Sequence, residues 1–182
     1  NIVDVKFQTG SLVKEYFCNP FDVYKELEEL GEGAYGVVKK VGLKDNPNTV
    51  RAMKIIPKEN IVEGQSQQLI DEIQILRKIE HPNIMKIYEY FDDSKNIYIV
   101  SELCDQGDLL GKMNKLGSMS ELVVKFLMGQ ILNAVSYLHD NDVFHGDIKL
   151  ENVMLYKTSK KKGRRFTKIK DKAKIGRAVQ QE

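Results

Sequence analysis

Three polar residues on one short segment have the chemistry that phosphoryl transfer requires. Asp147, Lys149 and Asn152 lie in the run V-F-H-G-D-I-K-L-E-N-V-M-L, which ends at Leu155. An aspartate can accept the proton of a hydroxyl group, a lysine can neutralise a transferring phosphate, and an asparagine oxygen can bind a metal ion. A solvated loop between a helix and a strand would also be polar, so the interpretation depends on the motifs upstream.

A glycine-rich stretch occurs early in the chain. Gly31, Gly33 and Gly36 form G-x-G-x-x-G, and Val37 and Val38 follow it. Branched residues favour a strand, so the pattern predicts a strand, a glycine turn and a second strand. A dinucleotide-binding turn would open a helix and a P-loop would end in Gly-Lys-Ser/Thr, and neither condition is met. Glycines in such a hairpin let backbone N–H groups approach phosphate oxygens without obstruction by Cβ.

A lysine in an apolar strand and an acid on the next helix complete the set. Lys54 lies in V-R-A-M-K-I-I, which predicts a strand. Apolar residues then recur at helical spacing from Leu69 to Ile79, and the helix is predicted to end before Pro82 because a residue preceding proline avoids the α region. Glu72 lies beside that apolar stripe. Considered singly, Lys54 would be a solvated strand residue and Glu72 a solvated helix residue.

In this order, the motifs resemble those of the eukaryotic Ser/Thr protein kinases over about Phe21 to Leu155. The resemblance implies an α+β, protein-kinase-like fold: an N-terminal antiparallel β-sheet lobe with a helix C, then the first helices and the catalytic loop of an incomplete helical C-lobe. Lys149 is the residue found at its position in the serine/threonine branch. The lead-in and the segment from Asp147 are most similar to the calcium/calmodulin-regulated and calcium-dependent kinases.

The resemblance also divides the chain into four parts. Residues 1–20 are a lead-in, 21–101 form the kinase N-lobe, and 102–156 form the hinge and a partial C-lobe with the catalytic loop. Residues 157–182 are a basic tail in which a remnant of strand 8 is expected.

Individual roles follow from the same resemblance. Lys54 is expected to bind the α- and β-phosphates of ATP and to pair with Glu72, while Asp147 accepts the substrate proton and Lys149 assists the transfer. The residues expected to bind ATP are Leu30, Gly31, Glu32, Gly33, Ala34, Tyr35, Gly36, Val37, Val38, Ala52, Lys54, Ser101, Glu102, Cys104, Asp108 and Met154.

The expected Mg2+ site is where the chain departs from the family pattern. Asn152 and Asp171 are the expected ligands. The stretch F-T-K-I-K, residues 166–170, is predicted to return as a strand beside Val153–Leu155, which would bring Asp171 to the cleft near Asn152. However, Lys-Ala follows Asp171 where the family has Phe-Gly, so the sequence leaves open whether Asp171 replaces the aspartate of Asp-Phe-Gly.

Two classes of function stay open. The first is an ATP-dependent Ser/Thr protein kinase with an incomplete catalytic domain, and the second is a catalytically inactive, truncated, kinase-like ATP-binding or scaffold module. The presence of Lys54, Glu72, Asp147 and Asn152 favours the first, because inactive relatives usually lack one of these residues. Gly146 replaces the arginine that grips a phosphorylated activation loop in the family, so we expect no dependence on that phosphorylation.

Composition sets the expected compartment and partners. The 182 residues have a net charge of +2, yet residues 1–156 carry 17 Lys/Arg against 24 Asp/Glu, whereas residues 157–182 carry 11 against 2. No apolar run approaches the roughly 20 residues of a membrane span, and two cysteines form no disulfide framework. We expect a cytoplasmic protein that acts on a protein substrate, without membrane or nucleic-acid binding. The chain has no D-x-D-x-D-G calcium loop, so a calcium sensor or calmodulin-like regulator would lie outside it.

Overall fold

The computed structural model describes residues 14–16, 19–33, 36–61, 65–157 and 171–176. For residues 14–16, 33, 65–68, 72, 77–78 and 171–173 it describes the secondary structure alone. Within these ranges the chain forms one large sheet, three α-helices and a two-stranded hairpin.

The large sheet has six strands, and five of them form the antiparallel lobe that the sequence predicts. In spatial order the strands are β1 (Lys14–Tyr16), β5 (Ile87–Asp92), β6 (Asn96–Glu102), β4 (Asn46–Pro57), β3 (Gly36–Leu43) and β2 (Tyr24–Gly33). Strands β2 to β6 pair antiparallel, whereas β1 pairs parallel with β5. The lead-in therefore adds a sixth strand to the predicted sheet.

The helices pack against the sheet and against one another through one apolar cluster. They are α1 (Gln65–Lys78), α2 (Leu109–Leu116) and α3 (Glu121–His139), with short 3-10 turns at Pro20–Asp22, Lys58–Asn60 and Leu150–Asn152. Helix α1 ends before Pro82, as predicted. Its Ile73 is fully buried and packs with Leu76, Ile99 and Leu138 in the same cluster. Burial of these side chains holds α1 on one face of the sheet.

The strand register places the predicted nucleotide residues on the face that α1 covers. Val38 is the cross-strand partner of Lys54, and Ala52 is the partner of Ser101. Side chains alternate along a strand, so Lys54 shares a face with Ile56, which packs in the cluster with the helix. The opposite face is a second apolar cluster, formed by Tyr24, Val41, Met53, Phe91, Tyr98 and Val100.

Helix α3 is the most apolar of the three α-helices that the structure describes. Its length and composition meet an averaged criterion for a membrane-crossing helix, although polar residues such as Lys125 and Gln130 interrupt its apolar runs. On one face α3 buries Leu127, Ile131, Ala134 and Leu138 in the apolar cluster. On its other faces large apolar side chains are exposed, namely Leu122, Val124, Phe126, Met128 and Leu132.

Two paired strands, β7 (Val153–Lys157) and β8 (Asp171–Ile175), follow the loop that contains Asp147. Its register pairs Val153 with Ile175 and Lys157 with Asp171. All five positions of β7 thus pair with residues 171–175, whereas residues 166–170, the stretch predicted to lie beside Val153–Leu155, are outside the described residues. Ile175 fixes this register, because it is 2% exposed within the apolar cluster and its N–H donates to the carbonyl of Asn83 at 2.9 Å.

A buried polar group joins β2, β4 and β5 on the far face of the sheet. Arg51 Nη1 lies 2.6 Å from Glu89 Oε1, and the Tyr24 hydroxyl donates to the same carboxylate. The guanidinium also lies 4.1 Å from the ring centroid of Tyr88. Glu89 is 6% exposed, so its charge depends on these partners.

We expect Glu89→Ala to lower the free energy of unfolding by about 3 kcal/mol, because the partly buried Arg51 loses its buried counter-charge. Urea unfolding measures the loss. The control is Glu26→Ala, which removes an exposed partner of Lys39 and should change stability by less than about 1 kcal/mol. Equal losses in the two variants would contradict this interpretation of the buried pair.

Candidate active site

The loop between α3 and β7 brings together the three residues that the sequence singled out. The Asn152 side-chain nitrogen donates to the carbonyl oxygen and to Oδ2 of Asp147, both at 2.8 Å. Lys149 Nζ lies 2.8 Å from the same Oδ2, and about half of each side chain of this ion pair is exposed. The carboxylate of Asp147 is therefore held at the surface of the loop by a cation and an amide.

The buried side chain of His145 stabilises this loop through two hydrogen bonds. It is 5% exposed, and its Nε2 bonds to the carbonyl oxygen of Gly176. A carbonyl only accepts, so Nε2 carries the proton and Nδ1 accepts from the N–H of Asp147 at 3.3 Å. Gly146 between them has φ +73°, a left-handed conformation that glycine adopts readily. The buried imidazole thus sets the backbone direction at Asp147.

The neighbours of Asp147 favour its charged form. The Lys149 ammonium, hydrogen-bonded to the carboxylate, is the main cause that lowers the pKa of Asp147 below its ordinary value, and the Asn152 amide adds to this. Asp147 is therefore a carboxylate at neutral pH and can accept a proton.

The predicted position of Asp171 beside Asn152 was wrong. Gly176, at the end of β8, donates its N–H to the Asn152 carbonyl at 2.6 Å. Asp171 pairs with Lys157 at the opposite end of the hairpin, four residue steps from Ile175, which is about 13 Å along the strand. In the β7–β8 register, the residue next to Asn152 is therefore Gly176 and not Asp171.

The described residues fit an Mg2+ ion only in part. Protein sites for Mg2+ usually provide one or two carboxylates together with substrate phosphates. Asn152 offers an amide oxygen, but in the described ranges no three His, Cys, Asp or Glu residues are grouped as a metal site would need. Since Asp171 lies at the far end of the hairpin, Asn152 is the member of the expected ligand pair that adjoins Asp147.

The glycine stretch forms the predicted hairpin. Gly33 is the cross-strand partner of Gly36, Gly31 is the partner of Val38, and Val37 is the partner of Ile55. At Gly36, where φ is +141°, a Cβ would lie 1.9 Å from the carbonyl oxygen of Ile55, so only glycine fits. Two other predicted ATP contacts, Leu30 and Glu32, are exposed on β2, and the remaining two, Ala34 and Tyr35, lie outside the described residues.

Four other residues expected to bind ATP form two cross-strand pairs, Ala52 with Ser101 and Asp108 with Met154. Ser101 is buried opposite Ala52, and Asp108 forms an isolated bridge with Met154. The segment after Glu102 is also hydrogen-bonded to β7, since the N–H of Gln106 donates to Leu155 O at 3.1 Å and the Leu155 N–H donates to Gly107 O at 2.8 Å. The side chain of Asp108, one of the residues expected to bind ATP, caps α2 by accepting from the Gly111 N–H at 2.7 Å.

The hinge cysteine, Cys104, is a poor nucleophile in this position. Burial, and next the nearby Glu102 carboxylate, raise the pKa of the thiol to about 12. A thiol with that pKa has little thiolate at neutral pH, so the fold protects it from alkylation.

The predicted partner of Lys54 is Glu72, which lies in α1 next to the buried Ile73. Its side chain is outside the described residues, so the Lys54–Glu72 ion pair stays a prediction.

Two residues of the site, Gly176 and Lys174, were not predicted from the sequence. Lys174 pairs with Met154 across the hairpin and reaches the carboxylate of Glu102 at 2.7 Å. The signal was present in K-A-K-I, where apolar and basic residues alternate as in a half-buried strand. The same alternation occurs in F-T-K-I-K, so the sequence offered two candidates for one strand.

A glycine hairpin, a lysine on the neighbouring strand and an Asp-Lys-Asn loop are the parts that protein kinases combine in one domain. The family model described as the protein kinase domain matches residues 24–173. This chain therefore belongs to the protein kinase family, in its serine/threonine branch.

Curated relatives agree with this assignment. The calcium/calmodulin-dependent protein kinase type 1 of Macrobrachium nipponense is 37% identical over 135 residues, covering 74% of this chain and 39% of the relative. Calcium-dependent protein kinase 5 of Plasmodium falciparum (isolate 3D7) is 42% identical, covering 73% and 23%. The calcium/calmodulin-dependent protein kinase of Metarhizium anisopliae is 39% identical, covering 72% and 33%. The chain spans well under half the length of these relatives.

We expect Gly36→Ala to destabilise the fold by at least about 2 kcal/mol and to weaken ATP binding, because the new methyl group meets the backbone of β4. Urea unfolding and calorimetric ATP titration measure the two effects. Gly129→Ala is the control, since its Cβ meets nothing within 4 Å and alanine should stabilise α3 by about 1 kcal/mol. A Gly36→Ala variant with unchanged stability and affinity would contradict the close approach of β3 and β4.

Proposed function

We propose that the chain binds ATP between the glycine hairpin and β7 and transfers the γ-phosphate to serine or threonine hydroxyls of a protein substrate. The hydroxyl oxygen forms a bond to the γ-phosphorus, the bond from that phosphorus to the β–γ bridging oxygen breaks, and ADP leaves. Asp147 takes the hydroxyl proton. The observation that carries the proposal is the carboxylate of Asp147, held between Lys149 and Asn152 on a backbone fixed by His145.

The remaining residues position and neutralise the phosphates. Lys54 lies on the face of β4 that α1 covers, and its cross-strand partner is Val38, two residues after the last glycine of the hairpin. From this position Lys54 can reach the α- and β-phosphates. Lys149 lies beside Asp147 and can neutralise charge on the transferring group. Mg2+ would accompany the nucleotide and offset phosphate charge, and Asn152 is the residue of the loop that would bind it.

One observation favours a second candidate function, an ATP-binding module with little or no transfer activity. The β7–β8 register leaves Asp171 away from Asn152, so the carboxylate ligand expected for a second metal contact is not supplied by that residue. Such a module would bind nucleotide through the sheet and hinge and act as a scaffold.

As part of the same proposal, we infer that the activity of this chain is regulated by calcium. Two of the three relatives carry calcium/calmodulin in their names and one carries calcium. Among the described residues no acidic cluster could bind calcium, so a regulator would act from another segment or another chain.

Calcium without calmodulin should leave the activity of these 182 residues unchanged, and a change would contradict an external sensor.

Asp147→Asn separates the two candidate functions. We expect its ATP affinity to stay within about twofold of wild type while peptide phosphorylation falls by about 10²–10⁴-fold, because only the proton acceptor is lost. Calorimetry and a radiolabelled phosphate assay measure the two quantities. ATP binding by wild type without transfer would select the scaffold module, and absence of ATP binding would contradict both functions.

Lys149→Met should move the acid limb of the phosphorylation rate to higher pH. Lys149 is the main cause that lowers the pKa of Asp147, so in the wild type Asp147 stays ionised as the pH falls through the usual aspartate range. Without the ammonium, the carboxylate takes up its proton at higher pH and activity is lost earlier. Lys157→Met, which removes a charge from the exposed end of β7, is the control. An unchanged acid limb in Lys149→Met would show that another group sets it.

A further inference from the structure

A largely buried ion pair links the hinge to β8. Lys174 Nζ lies 2.7 Å from both carboxylate oxygens of Glu102, although the two residues are 72 positions apart in the chain. Their side chains are 12% and 18% exposed. A pair with so little exposure is weakly screened by salt, and each charge depends on the other.

The surroundings of the pair hold both groups in place. Oε2 of Glu102 also accepts the backbone N–H of Lys86 at 3.1 Å, and the Lys174 ammonium lies 5.1 Å from the ring centroid of Tyr156. The thiol of Cys104 is close enough for both charges to affect its pKa. The carboxylate is therefore fixed by Lys174 of β8 and by the backbone that leads into β5.

Both partners adjoin the expected adenine site. Glu102 is the last residue of β6 and the first residue of Glu102–Cys104, the segment that the resemblance to kinases assigns to the hinge. Lys174 is the cross-strand partner of Met154, one of the residues expected to bind ATP. One ammonium group thus connects the strand that ends at the hinge with the hairpin below it.

We propose that Lys174 is a positioning residue. By its ion pair with Glu102, it holds the hinge backbone in the position that adenine binding requires. The inference rests on the proposed nucleotide-binding function and concerns the adenine end of the site. Adenosine affinity then depends on a residue that touches neither the base nor the phosphates.

The affinities for adenosine and for ATP together show whether Lys174 positions the hinge or only attracts the phosphates of ATP. Lys174→Met should weaken both ligands by the same factor of about tenfold, because the hinge serves the part that they share. If Lys174 acted only by attracting phosphate, neutral adenosine would bind as well as before. Lys174→Arg keeps a cation against Glu102 and should restore both affinities to within about twofold. Lys125→Met, which breaks the exposed Lys125–Glu121 pair on α3, is the matched control and should change neither.

A readout that needs no nucleotide is the alkylation rate of Cys104 in a Cys18→Ser background, where it is the only thiol. Loss of the ammonium alone would raise the thiol pKa further and slow alkylation, since Lys174 lowers that pKa. A hinge released from its anchor would expose the thiol and speed alkylation severalfold. We expect the faster reaction in Lys174→Met and the wild-type rate in Lys174→Arg.

The outcomes separate the inference from the function on which it rests. Unchanged adenosine affinity in a folded Lys174→Met variant, or slower alkylation of its Cys104, would overturn the positioning role. A wild-type chain that binds neither adenosine nor ATP would overturn the proposed function, and faster alkylation in Lys174→Met would still show that the pair holds the hinge.

Discussion

The site depends on the two hydrogen bonds by which the backbone of Gly176 is attached to the loop that contains Asp147. Its N–H donates to the carbonyl of Asn152 and its own carbonyl accepts from His145. A Cβ at this position would lie 3.2 Å from the Asn152 oxygen, closer than most side chains tolerate. Because His145 in turn accepts the N–H of Asp147, the end of β8 determines the backbone position of Asp147.

The same register connects the two ends of the proposed nucleotide site. With Gly176 fixed against the loop, Lys174 falls opposite Met154 and within reach of Glu102. The parallel bridge between Ile84 and Ile175 ties this strand to the segment that precedes β5. The hinge, the hairpin and the catalytic loop are therefore coupled through one short strand, and a shift of that strand would disturb all three.

Much of the fold could be predicted because periodic apolar patterns and glycine turns are local signals. The hairpin at Gly31–Gly36, the helix that buries Ile73 and the Asp147 loop all follow from such patterns. The partner of β7 could not be predicted in this way, because two neighbouring stretches alternate alike. Burial of Ile175 in the core decides between them, and that is a tertiary contact which no local pattern contains. The Glu102–Lys174 pair was missed for the same reason.

The register of β8 is tested most directly by disulfide formation between introduced cysteines in a chain with Cys18→Ser and Cys104→Ser. Asp171→Cys combined with Lys157→Cys should form a disulfide readily, because these residues are direct cross-strand partners. Asp171→Cys combined with Asn152→Cys should not, since about 13 Å of strand separates Asp171 from the end of β8 that adjoins the loop. The reverse result, a disulfide with position 152 and none with position 157, would contradict the account and return Asp171 to the metal site.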